Sequence, residues 1–163
     1  MATVLRPDNT NNGQMGRKLA ALEQLIETIS DASVIQMKIA GADSVGISAG
    51  SLIPFTNITF KTPDMVVNDT NTTITLPKKG VYRVELILQG GTGPTIVFPL
   101  VNGVQDQRMT FAYNNGAAST FVRAAKDGAT LSLQATTDMT LNFTGSVDLA
   151  SLLVEYVGDL QLV

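Results

Sequence analysis

From about Leu52 to Val157 the chain alternates apolar and polar residues with a period of two, broken only by short turn-forming clusters. A strand sends successive side chains to opposite faces, so the pattern describes strands buried on one side and wetted on the other. Tyr82, Val84, Leu86 and Leu88 face one way, while Arg83, Glu85 and Gln89 face the other. Leu131, Leu133 and Ala135 alternate with Thr130, Ser132 and Gln134. Met139, Leu141 and Phe143 alternate with Thr140, Asn142 and Thr144, and Ala150, Leu152, Val154 and Tyr156 share one face of a last strand. Between these runs stand Pro77-Lys78-Lys79-Gly80, Asn102-Gly103, Asn114-Asn115-Gly116 and Lys126-Asp127-Gly128. Asn-Gly between two alternating runs predicts a hairpin, because both residues tolerate positive φ. Roughly eight to ten short strands at this spacing, with no helical pattern between them, predict an antiparallel all-β sandwich and exclude a parallel βαβ sheet.

The residues ahead of the sandwich read differently. Residues 1–16 are polar and rich in Asn and Gly, which predicts an extended arm or a frayed terminus. Good helix formers follow from about Arg17 to Ser30. Met15, Leu19, Leu22, Ile26 and Ile29 are spaced 4, 3, 4, 3, the a/d seam of a short coiled coil, and Leu25 widens the stripe. A helix this short is marginal alone in water, so the seam needs partner helices or a core to lie on, and the pattern allows either. Val34 to Ile39 alternates as a short strand would, and Ala40 to Ser51, with three glycines, reads as a linker. The expected organisation is an arm over 1–16, an oligomerising or anchoring helix with linker over 17–50, and a β-domain over 51–163.

Composition closes off most chemistry. The chain has no His and no Cys, which removes Ser-His-Asp and Cys-His nucleophiles, His and Cys metal ligands, and disulfides. Asp64, Asp69, Asp106, Asp127, Asp138 and Asp148 lie mostly at expected turns, where Asp belongs through its side-chain hydrogen bonds rather than as a catalytic carboxylate pair. Gly90-Gly91-Thr92-Gly93-Pro94 precedes a strand, not a helix, and so reads as a turn rather than a phosphate loop. The expectation is a protein that is not an enzyme and needs no cofactor or metal. The formal net charge is −3 with no run of Lys or Arg, a poor match for nucleic acid or an anionic membrane. With charged residues at only 15%, some surface is expected to be covered in an assembly. The N-terminal stretch MATVLRPDNTNNGQ lacks the apolar core of a signal peptide, so synthesis and folding in the cytoplasm are expected.

The order of the turns and strands resembles the jelly roll of the tumour necrosis factor and complement globular-head superfamily. Thr73-Ile74-Thr75-Leu76-Pro77-Lys78-Lys79-Gly80-Val81-Tyr82-Arg83-Val84 is similar to that superfamily's short strand, Pro-and-Gly turn and "Gly-x-Tyr" opening of a central strand. Phe98-Pro99-Leu100-Val101-Asn102-Gly103-Val104 resembles the strand and hairpin that follow. Ala124 to Leu133 is similar to its "x-x-Gly-Asp-x-Val-x-Leu" turn and strand, with the Gly and Asp transposed to Asp127-Gly128. Ala150-Ser151-Leu152-Leu153-Val154-Glu155-Tyr156 sits where the last buried strand belongs. The resemblance implies a jelly roll and a homotrimer, although the superfamily's aromatic-rich trimer axis contrasts with 6% aromatics and no Trp here. A polar arm, a short coiled-coil-like helix and a small jelly roll together look like a phage virion protein, a head fibre or capsid decoration. That resemblance implies attachment to a capsid protein through the N-terminal region and a place on the capsid surface of the virion.

The alternative is a carbohydrate-binding adhesin or receptor-binding tip on a phage tail or a cell or spore surface. Phe111, Tyr113 and Phe121, flanking the Asn114-Asn115-Gly116 turn, are then the candidate surface for a host-surface glycan. The competing reading puts the same three residues in the core or at the trimer axis.

Overall fold

The computed structural model describes residues 15–23, 32–41, 44–89, 94–111, 115–142 and 148–159. The chain divides into two compact units, Met1–Ala32 and Ser33–Val163. In the first, residues 15–23 form a helix, α1, with Met15, Leu19 and Leu22 exposed. These three positions fall on one side of a helix of 3.6 residues per turn, as the seam requires. Ile26 and Ile29, which would extend it, lie outside the described residues.

The second unit is a sandwich of antiparallel sheets. One sheet has five strands: β10 (Asn115–Ala124), β6 (Gly80–Gln89), β13 (Ala150–Gly158), β1 (Val34–Ile39) and β3 (Asn57–Lys61), side by side in that order. The facing sheet orders β4 (Val66–Val67), β5 (Thr73–Leu76), β11 (Ala129–Ala135), β7 (Thr95–Val101) and β8 (Val104–Gln105), with β9 (Met109–Phe111) also paired to β7. A small ribbon of β2 (Val45–Ile47) and β12 (Met139–Leu141) completes the described strands. Neighbours in the first sheet are distant in sequence, as a jelly roll demands, so long-range pairing rather than local hairpins holds it together.

The expected faces are the observed ones. Tyr82, Val84, Leu86 and Leu88 of β6, Leu131, Leu133 and Ala135 of β11, and Ala150, Leu152 and Val154 of β13 are all buried between the sheets. Met139 and Leu141 join them from β12; Phe143 lies outside the described residues. Truncating one of these large side chains to alanine removes both its burial and its packing, typically about 2–5 kcal/mol. At the Asn102-Gly103 turn φ is +52° and +79°, the paired positive angles expected of this hairpin.

Three expectations change. The boundary placed at residue 51 moves to Ser33, because β1 is not outside the domain. It pairs with β13 on one side and β3 on the other, and buries Ile35, Met37 and Ile39 in the core. The linker expected over 40–51 contains β2, whose Val45 and Ile47 pair with Leu141 and Met139. Its glycines masked the signal, but a three-residue strand needs only one buried side chain, here Ile47. The turn expected at Asn114-Asn115-Gly116 shifts too: Asn115 and Gly116 already belong to β10, paired with Gln89 and Leu88.

Candidate oligomerisation surface

The five-stranded sheet has a solvent face as well as a core face, and the register places its residues in rows. Phe121 of β10 stands opposite Arg83 of β6, which stands opposite Glu155 of β13, which stands opposite Val34 of β1. The next row runs Ser119, Glu85, Leu153, Gln36 and Phe60. The third runs Ala117, Ile87, Ser151 and Lys38. Phe121 is 57% exposed and Phe60 47%, while Ile87 and Leu153 are half-buried on the solvent side.

Charge on this face is largely neutralised within it. Arg83 Nη2 lies 2.9 Å from Glu155 Oε2, and Lys38 Nζ lies 3.2 Å from Asp148 Oδ1. Cross-strand neutralisation of this kind leaves a surface that can be covered without stranding a net charge. One donor is left over: the buried Arg83 Nε has no hydrogen-bond partner among the described residues. Beside it Arg83, Phe121, Glu155, Tyr156 and Val157 line an open depression of about 460 Å³.

At the end of the sheet where β6 begins, a polar and aromatic cluster fixes the strand ends. The Tyr82 hydroxyl donates to the Lys78 carbonyl at 2.8 Å and accepts from the Lys78 amide at 3.0 Å, tying the Pro77–Gly80 turn to the core. The Tyr82 and Tyr156 rings meet at 5.2 Å and 60°, and Lys78 Nζ sits 5.4 Å from the Tyr156 centroid. Burial pushes the Tyr82 phenol up to about 12, against the opposing pull of its bond to Lys78. Nearby, Ser33 Oγ donates to Asp64 Oδ2 and the Val34 amide donates to Thr62 Oγ1 at 3.1 Å, which clamps the chain where it enters the sandwich. Burial raises the Asp64 carboxyl, but the hydrogen bonds from Ser33 and Thr62, its own amide and the charge of Lys78 together hold it below the ordinary range.

A measurable consequence follows for Tyr82. Its folded pKa is raised, so stability is unaffected below pH 10 and falls as pH climbs from 10 towards about 12, where the unfolded phenol has ionised and the folded one has not. Tyr82→Phe is expected to lose about 1–3 kcal/mol at neutral pH, by leaving the Lys78 amide unpaired, and to flatten part of that alkaline decline. Urea titrations of both proteins between pH 7 and 11.5 check this, and identical alkaline slopes would refute it.

Phe111, Tyr113 and Phe121 are the residues of the glycan reading. Phe121 lies on β10 of the five-stranded sheet, whereas the Phe111 backbone belongs to β9 of the facing sheet. Tyr113 lies outside the described residues. Tyr156, Arg83 and Glu155 are Phe121's actual companions, and only the cross-strand register reveals that. Among the described residues no cluster of three or more acidic side chains could hold a metal ion, and no helix is long and apolar enough to cross a membrane.

Three solved structures similar to this chain share its architecture. Eiger TNF from S. frugiperda is 12% identical, over 80% of this chain and 95% of its own, with a TM-score of 0.52. The globular domain of zebrafish complement 1qA protein is 9% identical, over 76% and 94%, with a TM-score of 0.52. Murine APRIL is 7% identical, over 78% and 100%, with a TM-score of 0.51. No family profile and no curated protein matches the sequence. At these identities the likeness establishes the fold alone: residues 33–159 have the jelly roll of the tumour necrosis factor and complement globular heads.

Proposed function

We propose that this chain is a non-enzymatic assembly protein, a homotrimer of jelly rolls packed through the solvent face of the five-stranded sheet. The observation that carries it is that face: Phe121, Ile87, Leu153 and Phe60 stand among charges already paired within the sheet. A trimer buries this apolar surface and brings a second chain close to the orphan Arg83 Nε. The exposed seam of Met15, Leu19 and Leu22 calls for the same kind of partner, because three parallel copies of α1 would bury it.

The fuller reading is a structural virion protein of a bacteriophage, a capsid decoration or head fibre on the capsid surface, attached to capsid protein through residues 1–32. It rests on the order of arm, helix and jelly roll. Light scattering on the eluting protein tests the assembly, where about three times 17.3 kDa is expected and a monomer at micromolar concentration would sink it. Deleting residues 1–32 should abolish attachment while the jelly roll stays folded by circular dichroism; unchanged attachment would refute the anchoring role. Capsid and portal genes beside this one would favour the virion, and a receptor or glycan-use operon would overturn it.

The depression at Phe121, Tyr156, Arg83 and Glu155 favours a second reading, the carbohydrate-binding adhesin, since it joins aromatic walls to polar groups. The two uses compete, because a trimer through this face covers the depression. A glycan array without hits removes the adhesin.

A further inference from the structure

The helix α1, residues 15–23, carries two exposed charges set to either side of its apolar seam, Lys18 and Glu23. With Met15, Leu19 and Leu22 at the d, a and d positions of a heptad, Lys18 falls at g and Glu23 at e. At about 100° per residue the two lie roughly 140° apart, one on each flank of the seam. Side chains five residues apart do not face each other on one helix, so Lys18 and Glu23 cannot pair within a chain. Neither has an opposite charge three or four residues away in the sequence, where a helix would bring one alongside. Neither makes an ion pair among the described residues.

We infer that Lys18 and Glu23 form ion pairs between neighbouring copies of α1, and so fix those copies as parallel and in register. In a parallel bundle the g residue of one helix stands beside the e residue five positions on in the next, so Lys18 meets Glu23 of the next copy. An antiparallel bundle brings g to g and e to e, which would set Lys18 against Lys18 and Glu23 against Glu23. The seam's occupant is therefore a second copy of this chain, because these charges complement themselves across a parallel self-association. Cyclic symmetry asks for the same arrangement, since it leaves equivalent segments of all copies pointing one way. Further along the sequence, Ile26 and Ile29 would take an a and a d position, a choice that favours three or four strands over two. Both lie outside the described residues. The inference rests on the trimer reading and adds what orients α1 within it.

The chain has no Cys, so Met15→Cys in the full chain reports which ends of α1 meet. Parallel, in-register helices bring the new thiols together, and with diamide as oxidant a covalent dimer is expected on a non-reducing gel. Adding Lys18→Glu should slow its formation about tenfold, since each attractive contact between copies becomes a repulsive one. Adding Lys18→Glu/Glu23→Lys instead should restore the rate of Met15→Cys alone, because the pair is rebuilt in reverse. The slowing by Lys18→Glu should shrink severalfold in about 1 M salt, as exposed charges require. The inference is overturned by no crosslink, by a Lys18→Glu rate equal to that of Met15→Cys alone, or by a reversed pair no faster than Lys18→Glu. Light scattering on Met15→Cys keeps the two readings apart. Trimer mass without a crosslink overturns the pairing alone, whereas monomer mass overturns the trimer reading with it.

Discussion

Gly80→Ala is expected to destabilise the sandwich by about 3–5 kcal/mol, the sum of a strained backbone and a blocked contact. Gly80 holds φ at +144°, a region that L side chains avoid. A Cβ there would stand 2.7 Å from the Tyr156 ring and 2.8 Å from the Gly158 carbonyl oxygen. Neither neighbour can give way easily. Tyr156 is packed on Tyr82 and accepts the charge of Lys78 on its face, and Gly158 is backbone at a register shift in β13. A domain of ordinary stability, about 5–15 kcal/mol, would lose much of its margin. Urea unfolding followed by far-ultraviolet circular dichroism checks it, and a change under 1 kcal/mol would show that the close approach is not what the glycine serves. Gly103→Ala is the control: φ is also positive, at +79°, but nothing lies within 4 Å of the added carbon, so only the backbone part of the cost remains.

Ile87→Glu/Leu153→Glu is expected to convert the proposed trimer to a monomer without unfolding it. The two positions are diagonal neighbours on adjacent strands near the middle of the sheet's solvent face, with Glu85 already beside Leu153. Each chain would carry two more carboxylates into the interface, six across a trimer, beside the Glu85 carboxylate that already lies there. Burying unpaired charge costs several kcal/mol per group, which opposes association directly. Within one chain both side chains point to solvent, so the fold itself should lose no more than about 1 kcal/mol per site. Mass by light scattering should fall from about three times 17.3 kDa to 17.3 kDa, with the circular dichroism spectrum retained. A trimer that survives the double substitution would move the interface to another face.

Much of the fold was legible because a half-buried strand writes its own period. The buried side chains of β6, β11 and β13 are the ones the alternation names, and the Asn102-Gly103 turn adopts the angles its residues allow. The Gly-x-Tyr motif was visible as a pattern only. Its reason, that Tyr82 holds Lys78 while Gly80 makes room for Tyr156, involves β13, some seventy residues away along the chain. β1 was set outside the domain and β2 was missed because their partners, β13 and β12, are not named by the local sequence, and β2 is only three residues long with Gly46 at its centre.

The sequence by itself determined the class of the fold, the inward faces of β6, β11 and β13, and the absence of His and Cys side chains. Each of these depends on local periodicity or on which residue types exist at all. Only the tertiary structure decided which strands are neighbours. It thereby put Phe121 beside Arg83, Glu155 and Tyr156. Pairing is a long-range choice, made by how the two sheets bury their apolar faces together, and no window along the chain contains it.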